Sequence, residues 1–493
     1  MMYKESFDLN SKKLFDNTYK RLDDLVSKAI KKRDYEKALQ AMNGIATIEY
    51  NWNQRYVDHK LEKRIDFMTS YFRRKYASVN IADTDDSTIL FYDSFGLDIR
   101  GLAAIYLKAL VKTGKRIIYV APESSKGKQP LISSILSGDH VMIYIDKNGP
   151  TINSLTEIYH IYCRYHPSTA FQYIFPWDMD GIIAFGLFYG TVRYKINLTD
   201  HAFWSGISSF DYNIEFRDYG ANISLRYRGI PKEKITKLPY YPYRNSTIEF
   251  EGLPFDLSGK KLVFSGGELY KTLGEGNTYY RILREILRTD SSVVFLYAGH
   301  GDDSELIKVM KEFRGRVFHI NERNDFYLIM ERAYLYLNTY PMVGGLMMQY
   351  AALSGCLPIT LRHNDDGSGI LINEDELGLT YDTADDLLTD VKRLLSDDNY
   401  RNYKKKMLKD SVITEQHFND EMKKLITLHC TDYPIKNMDL NVKEFLKDYK
   451  LRFGYSGAWD ILSRRNKLLY PLFPILLVRK CIYRLLKKIR GNP

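Results

Sequence analysis

The chain has 493 residues, of which 45% are hydrophobic, and this length and composition predict two or three domains with more than one buried core. Nowhere do about eighteen apolar residues follow one another, so no membrane-spanning helix is predicted, and the charged start of the chain lacks the apolar core of a secretory signal. The net charge of +10 is compatible with nucleic acid, an anionic membrane or phosphate-bearing substrates as partners.

Four cysteines are spread along the chain, without a Cys-x-x-Cys pair and without a histidine at the spacing of a zinc ligand: Cys163, Cys356, Cys430 and Cys481. This pattern fits a reducing compartment and predicts no structural metal. We therefore expect a cytoplasmic protein that touches the inner face of a membrane only peripherally.

Residues 1–80 are predicted to form a helical segment. Apolar residues recur there three and four positions apart, for example at Leu22, Leu25 and Ala29, as they do on the buried face of a helix. No second copy of the pattern follows at a fixed spacing, so a helical repeat is not predicted.

Short apolar runs alternate with helical patterns over residues 81–250, which predicts a parallel, doubly wound sheet. A helix is expected over 102–113, and strands are expected at 89–93, 116–121, 141–146, 170–175 and 193–198.

A second unit of the same kind is predicted over residues 251–430. Its strands are expected at 261–265, 293–298, 317–320 and 334–338, and its helices at 279–288, 305–313, 326–333, 384–395 and 400–409. The predicted fold class is α/β, with two facing Rossmann-like domains and a cleft between them, because ligands of such sheets bind beyond the carboxyl ends of the strands.

A glycine loop in the second unit is the most informative segment. Residues 337–339 end a predicted strand, Gly344, Gly345 and Leu346 open a predicted helix, and Gly355 ends that helix. Backbone N–H groups at a helix start approach an anion closely, and the helix dipole favours negative charge there, so a diphosphate is the expected ligand. The alternative is a tight turn without a ligand.

A second loop follows the first predicted strand of this unit and contains Gly266, Gly267 and Lys271. A lysine at this position can neutralise a phosphate leaving group. Taken alone, Lys271 fits a solvated surface lysine better. Two glycine loops at strand ends of one unit together favour a nucleotide site.

The order of these motifs resembles that of the GT-B superfamily of glycosyltransferases, in detail the O-linked N-acetylglucosamine transferases and their bacterial relatives. The resemblance spans roughly residues 87–379. Residues 269–271 match the Leu-Tyr-Lys segment of that family, residues 337–358 match its later strand, glycine loop and helix, and Asn321 and Arg323 lie in the loop that borders the base. It implies a UDP-sugar held by the second unit, with Lys271 on the diphosphate and no metal or other cofactor.

The helix after the glycine loop departs from the family pattern. Its ribose-binding acidic residue is replaced by Tyr350, next to Gln349, and the two glutamates of retaining GT-B enzymes are both missing. The resemblance therefore implies either that Gln349 or another group holds the ribose or that the site is altered. It favours inversion of the anomeric centre over retention.

An inverting enzyme needs a general base, which we expect from the first unit. The loop after its first strand offers Asp98 as the first candidate, and Arg100 as a candidate binder of an anionic acceptor. The alternative is that Asp98 only caps a helix that begins near Gly101.

A second candidate base is His201, which follows another predicted strand. Histidine accepts a proton near neutral pH, and Trp204 close by would offer a stacking face to an acceptor sugar. The alternative is a structural histidine.

The carboxyl-terminal tail, residues 431–493, is predicted to lie on an anionic membrane surface. Between positions 464 and 490 it has nine basic residues and no acidic one, around an apolar centre at 468–478 that is too short to span a bilayer. The alternative is a helix that docks on the protein with a solvated basic face.

These features together predict an enzyme that moves a sugar from a nucleotide diphosphate to a hydroxyl of a glycan or lipid-linked acceptor, as in surface polysaccharide assembly. A protein acceptor and a non-catalytic GT-B subunit that stabilises a partner enzyme stay open as alternatives. Nucleic-acid binding is disfavoured, because the basic residues concentrate in an apolar tail. The sequence leaves the sugar and the oligomeric state open.

Overall fold

The structure, a computed structural model, describes residues 8–76, 83–98, 102–245, 247–363, 369–443 and 445–446. The candidate residue Arg100 and the tail from residue 447 onward lie outside these ranges. Within them, no helix is long and apolar enough to cross a membrane.

Three helices open the chain: α1 (Asp8–Lys31), α2 (Tyr35–Trp52) and α3 (His59–Lys75). The carboxylates of Asp34 and Asp58 accept backbone N–H groups at the starts of α2 and α3, which satisfies donors that have no partner within the helix. The apolar faces of the three helices pack on the first sheet in one shared core, which includes Leu22, Met42, Ile65, Leu90 and Ile118. The helical segment is therefore built onto the sheet.

The first sheet is made of β1 (Asp85–Asp93), β2 (Arg116–Pro122), β3 (Val141–Ile145), β4 (Pro167–Tyr173), β5 (Val192–Asn197), β6 (Tyr212–Glu215) and β7 (Ile235–Lys237). Its helices are α4 (Ala103–Val111), α5 (Pro130–Ile135), α6 (Thr151–Tyr165), α7 (Met179–Leu187) and α8 (Asp218–Arg226). In the described part of the chain, the strands are all parallel, in the order β3-β2-β1-β4-β5-β6-β7. The strands β6 and β7 extend the sheet beyond the five predicted strands.

The second sheet is made of β8 (Lys261–Gly266), β9 (Val293–Ala298), β10 (Val317–Ile320), β11 (Leu335–Leu337), β12 (Leu357–Leu361) and β13 (Thr380–Tyr381). Its helices are α9 (Thr278–Thr289), α10 (Ser304–Glu312), α11 (Phe326–Arg332), α12 (Gly345–Leu353), α13 (Glu374–Leu377), α14 (Ala384–Ser396) and α15 (Asp398–Met407). The described strands are parallel, in the order β10-β9-β8-β11-β12-β13.

Both sheets reverse their strand order at one point, between β1 and β4 in the first and between β8 and β11 in the second. Every residue of β9 is buried, as expected for a parallel strand covered by helices on both faces. In such sheets the loops on either side of the reversal leave a crevice at the carboxyl ends of the strands. The fold therefore directs attention to the loops that follow β1, β4, β8 and β11.

Helix α16 (Glu415–Leu428) returns from the second domain to the first. Lys108 of α4 pairs with Glu415 at 3.1 Å, and the Tyr194 hydroxyl of β5 donates to the carbonyl oxygen of Leu425 at 3.0 Å. The chain then continues along the first domain, where Asn222 donates to the carbonyl oxygen of Lys436. The described part of the predicted tail thus packs on the first domain.

Candidate active site

The two glycine loops singled out in the sequence lie side by side. They follow the neighbouring strands β8 and β11, and the N–H of Met342 donates to the carbonyl oxygen of Lys271 at 3.3 Å. A Cβ added to Gly274 would lie 2.8 Å from the ring of Pro341, so the loops pack without space for a larger residue. The structure therefore brings Lys271 next to the loop that leads into α12.

The first of these loops needs its glycines for close backbone packing. Gly267 has a φ of 122°, which a residue with a side chain rarely adopts, and its carbonyl oxygen accepts from the Tyr297 hydroxyl at 3.2 Å. A Cβ on Gly266 would lie 2.9 Å from the carbonyl oxygen of Ala298. These glycines therefore shape the loop that carries Lys271.

The start of α12 has a specific hydrogen-bond arrangement. The side-chain oxygen of Asn338 accepts from the N–H groups of Thr339, at 2.9 Å, and Gly344, at 3.0 Å. The Gly344 amide is therefore occupied. The amides of Gly345 and Leu346, in the first turn of the helix, have no acceptor among the described residues, so this turn can receive an anion.

Gln349 and Tyr350 lie on α12, the helix that the sequence predicted after the glycine loop, and their side chains are directed into the protein. Gln349 is buried and donates to the carbonyl oxygens of Tyr240 and Ile370, and the buried Tyr350 hydroxyl donates to the carbonyl oxygen of Tyr243 at 2.5 Å. Both side chains hold α12 against the segment that links the two domains. In this structure they act in packing and do not offer a ribose contact.

Arg323 is also engaged within the protein. Its guanidinium donates to Asp325 and, at 2.7 Å, to the carbonyl oxygen of Gly252, which fixes the interdomain segment at the start of α11. Asn321 is exposed after β10. Of the two residues predicted near the base, Asn321 is the more exposed, since the Arg323 side chain is only 15% exposed.

Asp98 caps a helix. Its two carboxylate oxygens accept from the N–H groups of Leu131, at 3.1 Å, and Ile132, at 3.0 Å. The capped helix is α5, and not the one that begins near Gly101 as the sequence alternative expected. Each carboxylate oxygen accepts one backbone hydrogen bond, so Asp98 has a structural role at α5, and its role as the base stays a prediction.

Asp200 and His201 follow β5 and form a carboxylate–imidazole pair. Asp200 Oδ1 lies 3.4 Å from His201 Nδ1, and Asp200 Oδ2 accepts from Arg217 Nε at 2.6 Å. Burial alone would raise the pKa of Asp200, but Arg217 and His201 outweigh it and hold that pKa well below its usual range. The His201 side chain is 30% exposed, so an ionised, buried carboxylate orients an accessible imidazole.

The backbone of this loop is clamped from two directions. Arg228 is buried and donates from Nη2 to the carbonyl oxygens of Asp200, at 3.0 Å, and Ala202, at 2.7 Å. Asn53, at the end of α2, donates to the carbonyl oxygen of His201 at 3.0 Å. These contacts fix the backbone on both sides of the His201 side chain.

Trp204 does not provide the stacking face that the sequence predicted. It is 1% exposed, and the cations of Lys195 and Arg228 lie 4.6 Å and 4.8 Å from its ring centroid. Burial lowers the pKa of Lys195 to about 7. Trp204 is therefore buried in the protein interior next to the clamped loop, and it is not accessible to an acceptor sugar.

The two halves of the site meet at Arg217. This residue follows β6, and a Cβ added to Gly369, which lies beyond β12 in the second domain, would be 3.8 Å from its Cβ. The neighbouring Ile370 in turn packs beside the Cα of Gly345, with 2.8 Å between its Cδ1 and a Cβ added there. The imidazole pair and the first turn of α12 are thus joined through three consecutive contacts.

The sequence predicted His201 as a candidate base, but it did not indicate the residues that hold His201 and its loop: Asp200, Arg217, Arg228 and Asn53. Asp200 is adjacent in sequence, and a carboxylate next to a candidate base is a signal that could have been used. Arg217, Arg228 and Asn53 reach the loop from other elements, and no local pattern indicates them.

No protein-family model and no curated protein matches the chain. Solved structures do match it. One of them is a protein from Listeria monocytogenes described as a UDP-N-acetylglucosamine 2-epimerase. The similarity covers 70% of this chain and 97% of that chain, with a TM-score of 0.52 and 13% identity.

Two further solved structures are similar. An O-GlcNAc transferase variant from Thermobaculum terrenum has a TM-score of 0.50 and 12% identity, over 90% of this chain and 82% of that one. A glycosyltransferase from Rickettsia africae has a TM-score of 0.50 and 11% identity, over 70% of this chain and 99% of that one. The chain therefore has the GT-B fold, with two Rossmann-like domains and a helical amino-terminal segment, as the sequence predicted.

Proposed function

We propose that the protein is a nucleotide-sugar-dependent glycosyltransferase that inverts the anomeric centre. It transfers a sugar from a UDP-linked donor to a hydroxyl of a glycan or lipid-linked acceptor in surface polysaccharide biosynthesis. The observation that carries the proposal is the clamped Asp200–His201 pair. Its partner Arg217 lies beside Gly369, and Ile370 lies beside the first turn of α12, whose amides are open to an anion.

His201 acts as the general base. Asp200 faces Nδ1, so we assign the proton to Nδ1 and leave Nε2 to accept the proton of the acceptor hydroxyl. The acceptor oxygen then bonds to the anomeric carbon while the bond from that carbon to the diphosphate breaks. The pair of electrons leaves with the diphosphate, and a single displacement of this kind inverts the configuration.

The leaving diphosphate is stabilised from the second domain. The amides of Gly345 and Leu346 and the dipole of α12 face it, and Lys271 neutralises its charge from the adjacent loop. No metal ion is needed for this charge balance. The names of two similar structures, a UDP-N-acetylglucosamine 2-epimerase and an O-GlcNAc transferase, support a UDP-linked sugar as the donor.

A second candidate function is a non-catalytic GT-B subunit that stabilises a partner glycosyltransferase. The observation that favours it is the packing of Gln349 and Tyr350 against the interdomain segment, where a ribose contact was expected. The two candidates differ in whether the second domain binds a nucleotide.

The test is calorimetric binding of a panel of UDP-, GDP-, dTDP- and CMP-sugars to the wild type, to Lys271→Ala and to the matched control Lys311→Ala. Lys311 is an exposed lysine of α10, outside the glycine loops. We expect selective binding of UDP-sugars, weakened about 10- to 100-fold by Lys271→Ala, as for loss of a hydrogen bond to a charged group, and unchanged in the control.

Binding of one base other than uracil would overturn the choice of donor but keep the enzyme class. No binding to any nucleotide sugar would overturn the proposed function and favour the non-catalytic subunit. Equal weakening by both lysine variants would remove Lys271 from the site.

A further inference from the structure

The turn between α1 and α2 carries five cations on exposed side chains: Lys28, Lys31, Lys32, Arg33 and Lys37. Among the residues that the structure describes, none of the five forms an ion pair with a carboxylate. Two acidic groups near them are already engaged, since Asp34 caps α2 and Glu36 accepts the N–H groups that open α6. Both carboxylates keep their charge, so residues 28–37 have five cations and two anions, a net charge of +3.

Helix α3 lies beside this turn from its middle to its carboxyl-terminal end. Arg64 of α3 donates to the Ser27 hydroxyl of α1 at 3.0 Å, and the rings of Tyr35 and Tyr71 stack with centroids 3.9 Å apart. One turn before Tyr71, the Phe67 side chain is 42% exposed. The exposed Arg74 and Lys75 follow at the same end of α3. We use the name helical-end surface for these two cations, the five cations around the α1–α2 turn, and the rings of Phe67 and Tyr71.

Compensation of helix dipoles explains only part of this charge. Cations are favourable in the last turn of a helix, which accounts for Lys28 and Lys31 on α1 and for Arg74 on α3. Lys37 stands in the first turn of α2, where the dipole opposes a cation. Helix dipoles also do not account for the exposed phenyl ring of Phe67, which is uncharged. The helical-end surface therefore offers several cations, and the exposed ring of Phe67 beside them, to an anionic partner.

We propose that the helical-end surface binds the anionic headgroups of a lipid bilayer. Lysine and arginine side chains contact the headgroups, while Phe67 and Tyr71 enter the interface, where aromatic rings with polar surroundings are favoured. The sequence places nine further basic residues around an apolar centre between positions 464 and 490, a second cluster of the same character. The inference is independent of the proposed reaction, because it requires neither a nucleotide nor an acceptor.

The experiment is co-sedimentation of the full chain with phosphatidylcholine vesicles, with and without phosphatidylglycerol. The variants are Lys31→Glu/Lys32→Glu/Arg33→Glu and Phe67→Ser. The matched control is Lys308→Glu/Lys311→Glu/Arg314→Glu, which reverses the same number of charges on and next to α10. Circular dichroism verifies that each variant is folded.

We expect binding to phosphatidylglycerol vesicles only, weakened on the order of 100-fold by the triple reversal at the α1–α2 turn and several-fold by Phe67→Ser. The control reversal leaves it nearly unchanged. Hydrogen exchange of the wild-type chain provides a readout without any substitution, since vesicles should slow exchange at residues 28–37 and 63–75.

Three results would overturn the proposal. Wild-type binding by the triple variant assigns the membrane contact to the carboxyl-terminal tail alone. If the control variant loses as much vesicle binding as the triple variant, the loss comes from the change in net charge and not from this surface. The same variants are also tested for binding to a duplex RNA or DNA probe. If the triple variant at the α1–α2 turn loses binding to this probe but still binds vesicles like the wild type, the helical-end surface is a nucleic-acid site. None of these results bears on nucleotide-sugar binding, so failure here and failure of the proposed function are distinguishable.

Discussion

The side-chain amide of Asn53 donates a 3.0 Å hydrogen bond to the carbonyl oxygen of His201, across 148 residues of sequence. The carbonyl oxygen of the same side chain accepts from the Phe203 N–H at 2.8 Å, so one buried asparagine holds the loop on both sides of residue 202. Asn53 ends α2 in the left-handed conformation, with a φ of 41°, which asparagine tolerates better than most residues. The helical segment therefore takes part in building the site.

We expect Asn53→Ala to destabilise the protein by about 2 to 4 kcal/mol, because two buried backbone groups lose their partners. Turnover should fall as well, since His201 loses its support. The measurements are urea unfolding and transfer from the donor identified by calorimetry.

Two further variants separate the possible causes. Asn53→Gly keeps the left-handed conformation but removes the amide, so it should lose activity with a smaller effect on the end of α2. Asn51→Ala removes an amide that donates to the Thr47 carbonyl oxygen on the same helix, and it should leave turnover intact. If Asn51→Ala slows turnover as much as Asn53→Ala, the effect reports only helix stability.

His201→Gln should lower turnover about 100- to 10,000-fold, the contribution of a general base, with donor affinity unchanged. Glutamine fills a similar space but does not accept the proton. Asp98→Asn is the matched comparison, because asparagine can still cap α5, and we expect it to keep most of the activity. The reverse result, an active His201→Gln and an inactive Asp98→Asn, would assign the base to Asp98.

Gly220→Ala should destabilise the protein by about 1 to 3 kcal/mol through overpacking, although alanine normally favours a helix over glycine. Gly220 lies in α8, and a Cβ there would be 2.4 Å from Glu215 Oε2 and 2.7 Å from Asp200 Cβ. Both carboxylates are buried and held by other side chains, so they have little freedom to move. Urea unfolding measures the effect, and increased stability would mean that the cluster around Asp200 can shift.

Much of the fold could be predicted from runs of apolar residues. The strands β8 and β9 agree with their predicted bounds within one residue, because a parallel strand covered on both faces is apolar throughout. The strands β6 and β7 were not predicted, because they are short and carry buried polar residues such as Asn213 and Glu215. Those residues are tolerated there only because Asn197 and Ser224 hydrogen-bond to Glu215, which is tertiary information.

The candidate site shows the same division. Spacing correctly placed two glycine loops on one edge of the second sheet, since carboxyl ends of parallel strands share an edge. A pattern does not state which face of an element a side chain occupies, and for this reason Tyr350 and Trp204 were expected at a ligand but lie in the packing. The partners of His201 come from distant elements, and only the folded chain brings Asn53 and Arg217 to it.

The pH dependence of stability should change when Asp93 is replaced. Asp93 ends β1, where its carboxylate accepts from the Phe95 and Gly96 amides and from the Tyr119 hydroxyl. Burial raises its pKa to about 6 in spite of these hydrogen bonds. Between about pH 4 and pH 6 the folded state holds a proton that the unfolded state has released, so stability falls as the pH rises through this window, by about 3 kcal/mol in all.

Asp93→Asn removes this titration, and the difference in unfolding free energy between wild type and variant should therefore shift by about 3 kcal/mol between pH 4 and pH 7.5, in favour of the variant at the higher pH. Tyr119→Phe should act in the opposite direction, because it removes a hydrogen bond that lowers the pKa of Asp93, and it should make the loss of stability with rising pH larger. Urea unfolding at the two pH values measures both variants. A difference that stays constant with pH for Asp93→Asn would mean that Asp93 is ionised in the folded protein throughout, with its three hydrogen bonds outweighing its burial.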